Sequence, residues 1–316
     1  MPTRRDVLRY GSLTILATGL VAGPLSAAEA QRRISMLDSC QKPSPQKVVG
    51  NQGKKRHLKK NIATPTPINE YSKSSFVAQT SRGHTITHDV YRRGSGAPVI
   101  LIQELPGIGT ETLHLADQFT CNGFEVIMPH LFGPLGRTNT AGNLIRVMCM
   151  RKEFSIFSSN KSSPVVDWLK ALCNSVKEET QVNGVGVIGM CLTGNFAISL
   201  MGDDAVLAAV AAQPAMPFHN PAALHMSESE IQSTRDRIDS TAPMMAFRFE
   251  RDILSKESKF KCIQDTFNDD RERVQLCRLP GKGHSVFTLD FVDEDGHATK
   301  KALEEVLSYF KHQLQV

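Results

Sequence analysis

Residues 185–200, VGVIGMCLTGNFAISL, pass from an apolar strand directly into an apolar helix, with Cys191 at the turn between them. A nucleophile at such a turn is pushed into the cleft beyond the strand, so its neighbours must be small. Gly189 and Gly194 supply that space, whereas Thr193 stands where the usual motif has glycine. A lone cysteine in an apolar segment usually behaves as a small packed hydrophobe. The rest of the chain therefore decides whether Cys191 is a nucleophile.

Strands and helices alternate on both sides of this stretch, from Phe76 to the C-terminus, after an initial hairpin that turns near Arg82-Gly83. The later predicted strands are APVILIQEL, FEVIMP, GVGVIG, VLAAVAAQP, PMMAFRFE and RVQLCRL. The predicted helices span residues 110–121, 163–177, 191–201, 227–239, 255–266 and 298–313. Strands separated by helices of this length indicate a mostly parallel, doubly wound sheet with helices on both faces. We therefore predict one α/β domain over residues 76–316.

The first 30 residues have the layout of an export signal, with a short basic region, an apolar stretch and small residues that end at Ala30. The order RRDVLR at residues 4–9 resembles the twin-arginine signal, which exports folded proteins, and predicts a periplasmic protein. A general secretory signal, a cytoplasmic location and an uncleaved membrane anchor are the alternatives. The anchor is disfavoured because the apolar stretch is shorter than the ~20 residues that span a bilayer.

Residues 31–75 are rich in Pro, Gly, Gln and Lys without a hydrophobic period, which predicts a basic, disordered tether. Residues 1–75 carry 13 Lys/Arg and 4 Asp/Glu, a net charge of +9, which leaves −4 for the rest of a chain whose total is +5. The predicted domain therefore offers no basic face for nucleic acid. The seven cysteines show no C-x-x-C pair and no spacing with histidines that a metal site requires.

Three positions just beyond predicted strands carry a nucleophile, an acid and a base, in that order. Cys191 follows GVGVIG, Asp252 follows MMAFRFE, and His284 follows RVQLCRL in a Gly-rich loop. Such positions meet in one crevice of an open α/β sheet, and this is the chain order of the α/β-hydrolases. Each residue alone has an ordinary structural explanation, and Glu250 and Asp290 are alternatives to Asp252. Together they predict a triad in which Asp252 orients His284, which exchanges a proton with Cys191.

Glu104 lies at the end of the buried strand VILIQE. A buried carboxylate is costly unless it is hydrogen-bonded or protonated, which suggests a functional use, with a cap or a salt bridge as the structural alternative. In α/β-hydrolases the loop after this strand supplies one backbone N–H of the oxyanion hole, and the residue after the nucleophile supplies the other. The predicted donors are Leu105 and Leu192.

Together with the Asp252 loop, four segments resemble the dienelactone hydrolase family, the cysteine branch of the α/β-hydrolases. They are IQELPGI at 102–108, GFEVIMPHLFG at 123–133, GVIGMCLTG at 186–194 and GKGHSVF at 281–287. The resemblance implies hydrolysis of an ester, typically an enol-lactone, through an acyl-cysteine at Cys191, with no metal or organic cofactor. It also implies that Glu104 hydrogen-bonds the resting thiol and moves aside when an anionic substrate enters.

The chain departs from this family where the substrate carboxylate is held. The family's enzyme for dienelactone uses arginines, one of them shortly after the catalytic histidine, but His284 is followed by SVFTL. Arg146 and Arg151 are the candidates for an anion contact, with a surface role as the alternative. The predicted partner is a small ester or lactone, and we expect a monomer. The alternative functions are a thioesterase or other acyl-transfer enzyme on the same scaffold, and a non-catalytic binding protein of the same fold.

Overall fold

The structure is a computed structural model that describes residues 64–81, 83–136, 163–216, 222–224 and 226–316. The predicted export signal, most of the predicted tether, and both Arg146 and Arg151 lie outside these residues. Within the described ranges, no helix combines the length and the apolar character that crossing a bilayer requires.

Eight strands form one sheet at the centre of the fold. They are β1 (Ser72–Gln79), β2 (Thr85–Gly94), β3 (Ala97–Ile102), β4 (Phe124–His130), β5 (Val185–Met190), β6 (Val206–Ala212), β7 (Met244–Phe249) and β8 (Val274–Leu279). Their order is β1-β2-β4-β3-β5-β6-β7-β8. The pairs β1–β2 and β2–β4 are antiparallel, and all other pairs are parallel. Every residue of β5 is buried, which explains why this central strand is apolar throughout.

Helices cover both faces of this sheet. They are α1 (Thr110–Cys121), α2 (Pro164–Thr180), α3 (Leu192–Leu200), α4 (Glu228–Ser240), α5 (Glu257–Phe267) and α6 (Ala298–Leu314). Helices α1 and α6 share one hydrophobic core, where Phe119 packs edge-on against Phe310. Helices α2 to α5 share the core on the opposite face, with Trp168, Phe196 and Phe260 among its members. The predicted mostly parallel α/β domain is therefore confirmed, and the helix ends lie within one turn of their predicted positions.

The folded part begins earlier than the predicted boundary at residue 76. A short 3-10 helix spans Ile68–Glu70, and β1 starts two residues later. Tyr71 is buried, and the Thr66 amide donates to the Asp117 carboxylate on α1 at 2.7 Å. The hydrophobic pattern of the sequence does not predict this earlier start, because β1 is an edge strand whose first four residues, SKSS, are all exposed.

Candidate active site

Cys191 occupies the tight turn between β5 and α3, with backbone angles of φ 58° and ψ −120°. A positive φ is costly for a residue with a side chain and is typical of strained functional positions. The turn requires Gly189, because a Cβ there would lie 2.2 Å from the Thr193 carbonyl oxygen. A Cβ on Gly194 would lie 3.0 Å from the carbonyl oxygen of Ala212. Both glycines thus provide the space that lets α3 begin directly after Cys191.

His284 and Asp252 are brought together at the ends of β8 and β7. Nδ1 of His284 lies 2.8 Å from Oδ2 of Asp252. The other carboxylate oxygen, Oδ1, accepts hydrogen bonds from the backbone N–H groups of Leu254 at 2.8 Å and Ser255 at 3.0 Å. Asp252 therefore orients the imidazole with one oxygen, while its own loop holds the other.

The two alternative acids are placed differently. Glu250 is exposed at the end of β7. Oδ2 of Asp290 accepts hydrogen bonds from the backbone N–H groups of His284 at 2.8 Å and Ser285 at 3.0 Å. Asp290 thus shapes the loop that carries the imidazole, and Asp252 is the acid that contacts the ring.

The electrostatic environment of His284 favours the protonated ring. Burial lowers its pKa, but the hydrogen bond to Asp252 and the interaction with the Cys191 side chain outweigh burial and raise the pKa of His284 to about 10. Since Nδ1 is bound to Asp252, Nε2 is the nitrogen left for Cys191. Nε2 is buried and, within the described ranges, makes no hydrogen bond.

Arg248 holds the loop that carries Asp252, although it is not among the predicted site residues. Its guanidinium donates to the Ser255 carbonyl oxygen at 2.7 Å, to the Asp252 carbonyl oxygen at 3.3 Å and to the Glu257 carboxylate at 2.7 Å. The side chain is buried in β7. A charged residue in an otherwise apolar buried strand, MMAFRF, is costly unless its donors are used, and that pattern is the signal that points to Arg248.

Glu104 is buried and binds the loop that follows His284. One carboxylate oxygen accepts hydrogen bonds from the Ser285 hydroxyl at 2.9 Å and the Gln213 amide at 3.4 Å, and the other accepts one from the Thr288 hydroxyl. Burial raises the pKa of Glu104, while these hydrogen bonds and the charge of His284 oppose the rise. The carboxylate is therefore bonded to neutral donors, and within the described ranges it shares no hydrogen bond with the Cys191 thiol.

The two predicted oxyanion donors lie on adjoining loops. Leu192 is the first residue of α3, where a backbone N–H has no partner within the helix. Leu105 follows β3, in a loop held by Gln103, whose side chain donates to the Phe132 carbonyl oxygen at 2.9 Å and accepts from the Leu131 amide at 3.0 Å. In the described part of the chain, neither Leu amide is used in a backbone hydrogen bond. Both are therefore available as donors.

The loops that carry the acid and the base expose both apolar and cationic side chains. Ile253 is 78% exposed, Leu254 52% and Leu289 38%. Arg251 and Lys282 are exposed on the same two loops. Across the described ranges, no group of three or more His, Cys, Asp or Glu is placed to hold a metal ion.

Comparison with known proteins gives a family match and similar folds. The sequence profile of the dienelactone hydrolase family matches residues 89–314. A dienelactone hydrolase-like promiscuous phosphotriesterase from metagenomic libraries has a similar structure, with a TM-score of 0.54 and 14% identity over 76% of this chain and 98% of that chain. A cold-adapted esterase from an Arctic intertidal metagenomic library aligns with a TM-score of 0.52 and 13% identity over 81% of this chain and 100% of that chain. No curated protein matches the sequence.

The profile match covers most of the chain and includes every strand from the end of β2 onward, together with Cys191, Asp252 and His284. The two structural neighbours support the fold alone, since their sequence identities are low. The chain therefore belongs to the dienelactone hydrolase family and is a hydrolase of the α/β-hydrolase type.

Proposed function

We propose that this protein hydrolyses a small ester or lactone through an acyl-cysteine intermediate, with Cys191 as nucleophile, His284 as base and Asp252 as the residue that orients the base. One observation carries the proposal. The Asp252–His284 pair, joined at 2.8 Å, places a ring with a raised pKa beside a cysteine in a strained turn at the start of a helix. This arrangement combines the proton acceptor, its orienting carboxylate and an activated nucleophile.

The reaction begins when the Cys191 thiolate attacks the ester carbonyl carbon, and the carbonyl oxygen becomes an oxyanion. The Leu105 and Leu192 N–H groups donate hydrogen bonds to that oxyanion. As the C–O bond breaks, the His284 imidazolium gives its proton to the leaving oxygen, which stays tethered to the acyl group if the substrate is a lactone. The product of this half-reaction is acyl-Cys191 with neutral His284.

Water completes the cycle. Neutral His284 accepts a proton from a water molecule, whose oxygen attacks the thioester carbonyl carbon and forms a second tetrahedral oxyanion. Collapse of this intermediate breaks the C–S bond and releases the carboxylic acid product and the Cys191 thiolate beside the imidazolium. Asp252 remains ionised and stabilises the charged ring at both stages.

Turnover of a chromogenic short-chain ester, 4-nitrophenyl butyrate, tests the role of Cys191. We expect Cys191→Ala to lower kcat/KM by at least ~10³-fold, on the scale seen when a triad nucleophile is removed, and Cys191→Ser to remain strongly impaired. Cys262→Ala is the matched control, because Cys262 is a half-buried free thiol on α5. Equal rates for wild type and Cys191→Ala would show that Cys191 is not the nucleophile.

A further inference from the structure

We propose that Thr193 is a positioning residue that sets the spacing between the two halves of the oxyanion hole. The inference rests on the proposed function, because it assigns Leu105 and Leu192 as the donors of that hole. Thr193 is also the residue at which the turn around Cys191 departs from the usual glycine.

The Thr193 hydroxyl lies where β5 and the loop after β3 meet. Its oxygen accepts the Met190 N–H at 2.9 Å. The same oxygen lies 3.0 Å from the Gln103 carbonyl oxygen, 3.2 Å from the Ile102 carbonyl oxygen and 3.0 Å from the Met190 carbonyl oxygen. A hydroxyl carries one proton, so it donates to one of these acceptors at a time. The side chain is completely buried, which excludes competition from bulk water.

This hydroxyl extends the sheet by one connection beyond its last regular pair. The parallel pairing of β3 with β5 ends at Ile102 and Gly189. Beyond that pair the two chains separate, one towards Glu104 and the other into the turn at Cys191. Thr193 accepts from Met190 on the β5 side, and two of its three alternative acceptors, the carbonyl oxygens of Ile102 and Gln103, are on the β3 side, so the hydroxyl can connect the two chains beyond their last regular pair. Glycine at this position has no atom that can make this connection.

The two ends joined by Thr193 are those that carry the oxyanion donors. Gln103 lies two residues before Leu105, and Thr193 directly follows Leu192. A change in the separation of the two chains would therefore move one donor relative to the other. Oxyanion stabilisation depends on donors that lie 2.7–3.1 Å from the developing charge, so a small displacement lowers the rate.

Thr193 has no hydrogen bond with Cys191, His284 or Asp252 in the described part of the chain. The proposed effect of the bridge is therefore on the positions of the oxyanion donors and not on a direct contact with the thiol. Alkylation of a thiolate by iodoacetamide forms no oxyanion, whereas acylation by an ester does. The two reactions separate the proposed role from a general disturbance of the turn.

The test compares Thr193→Val, which keeps the shape but lacks the hydroxyl, with Thr193→Ser, which keeps the hydroxyl. We expect Thr193→Val to lower kcat for 4-nitrophenyl butyrate by about 10- to 100-fold, less than the ~10²–10³-fold loss from removing one oxyanion donor outright. We expect KM and the rate of Cys191 alkylation by iodoacetamide to stay within about twofold of wild type. Thr193→Ser should recover most of the lost kcat. If Thr193→Val does not fold, Thr193→Gly serves in its place, because it restores the usual motif without the bridge.

Unchanged kcat in the variant without the hydroxyl overturns the inference. A parallel fall in kcat and alkylation overturns it as well, since that result places the effect on the thiol. A different result would contradict the proposed function: wild-type protein that hydrolyses the ester no faster than Cys191→Ala. In that case no oxyanion forms on the enzyme, and the proposed role of Thr193 is wrong as well.

Discussion

At the scale of single residues, burial of the Glu104 carboxylate is the electrostatic feature that most directly links pH to stability. It is buried, and its pKa is raised mainly by that burial. An acid whose pKa is higher in the folded state holds its proton more tightly there than in the unfolded chain. Its contribution to stability is therefore fully present below the unfolded pKa of about 4.3 and is lost as the pH rises through the folded pKa.

Glu104→Gln removes this titration and keeps the shape of the side chain. We expect the free energy of unfolding of the variant, relative to wild type, to increase as the pH rises from about 4 towards 7, the interval that begins at the unfolded pKa of glutamate. Urea unfolding at several pH values measures the difference. Glu250→Gln is the control, because Glu250 is exposed. A difference that does not change with pH, or that changes in the opposite direction, contradicts the prediction.

The same variant bears on the gating role that the family resemblance implies for Glu104. The Glu104 carboxylate binds the Ser285 and Thr288 hydroxyls, and within the described ranges it shares no hydrogen bond with the Cys191 thiol. Gating therefore stays a proposal, in which the carboxylate alternates between these hydroxyls and the thiol. If both iodoacetamide alkylation and ester turnover are unaltered in Glu104→Gln, the gating role is wrong.

At the scale of elements, the acid loop after β7 depends on a contact made from within the strand itself. Arg248 binds the carbonyl oxygens of Asp252 and Ser255, and the Ser255 hydroxyl donates to the Pro214 carbonyl oxygen at 2.9 Å. The loop is thus fixed from β7 and from the segment after β6. The position of the Asp252 carboxylate follows from these contacts.

Arg248→Met should therefore weaken both the fold and the proposed catalytic pair of Asp252 and His284. We expect a loss of roughly 1–3 kcal/mol in the free energy of unfolding, the scale of hydrogen bonds that involve charged groups, and a fall in kcat of about tenfold or more. Thermal unfolding and ester turnover measure the two effects. Arg278→Met is the control, because Arg278 also binds Glu257, at 2.6 Å, and lies over the Phe260 ring, but it makes no hydrogen bond to the acid loop. Equal losses of kcat in the two variants would contradict the positioning role.

The segments that form strands and helices could be predicted because each has a strong apolar pattern bounded by Gly, Pro or polar residues. The order of the strands could not, since periodicity does not say which strands are neighbours. The proposed triad could be recognised in the sequence because strand ends meet at one edge of a parallel sheet. The partners of Glu104 were not, because Ser285 and Thr288 lie 181 and 184 residues away along the chain. The role of the Thr193 hydroxyl likewise depends on the distance between two strands.

At the scale of the whole molecule, the location of the protein in the cell is a proposal based on residues outside the described ranges. We propose twin-arginine export to the periplasm, supported by the RRDVLR segment at residues 4–9. A second observation agrees with an oxidising compartment, since Cys121 at the end of α1 is disulfide-bonded. Cys191, by contrast, is free and buried.

The paired change Arg4→Lys and Arg5→Lys tests this route. We expect the doubly substituted protein to remain in the cytoplasm, because the twin-arginine route requires the arginine pair. Fractionation followed by an immunoblot measures the distribution between cytoplasm and periplasm. Substitution of Arg32 and Arg33 by lysine is the control, since this second arginine pair lies outside the predicted signal. Undiminished export of the Arg4, Arg5 variant refutes the proposal.

The positions of Asp252 and His284 late in the chain also bear on when the protein becomes reactive during its synthesis. Cys191, the proposed nucleophile, is translated 61 residues before Asp252 and 93 before His284. A nascent chain that has emerged only as far as β6 carries Cys191 without Asp252 and His284. In the proposed mechanism, Cys191 therefore gains its base only after β7 and β8 have joined the sheet, and the unfinished polypeptide does not carry the complete site.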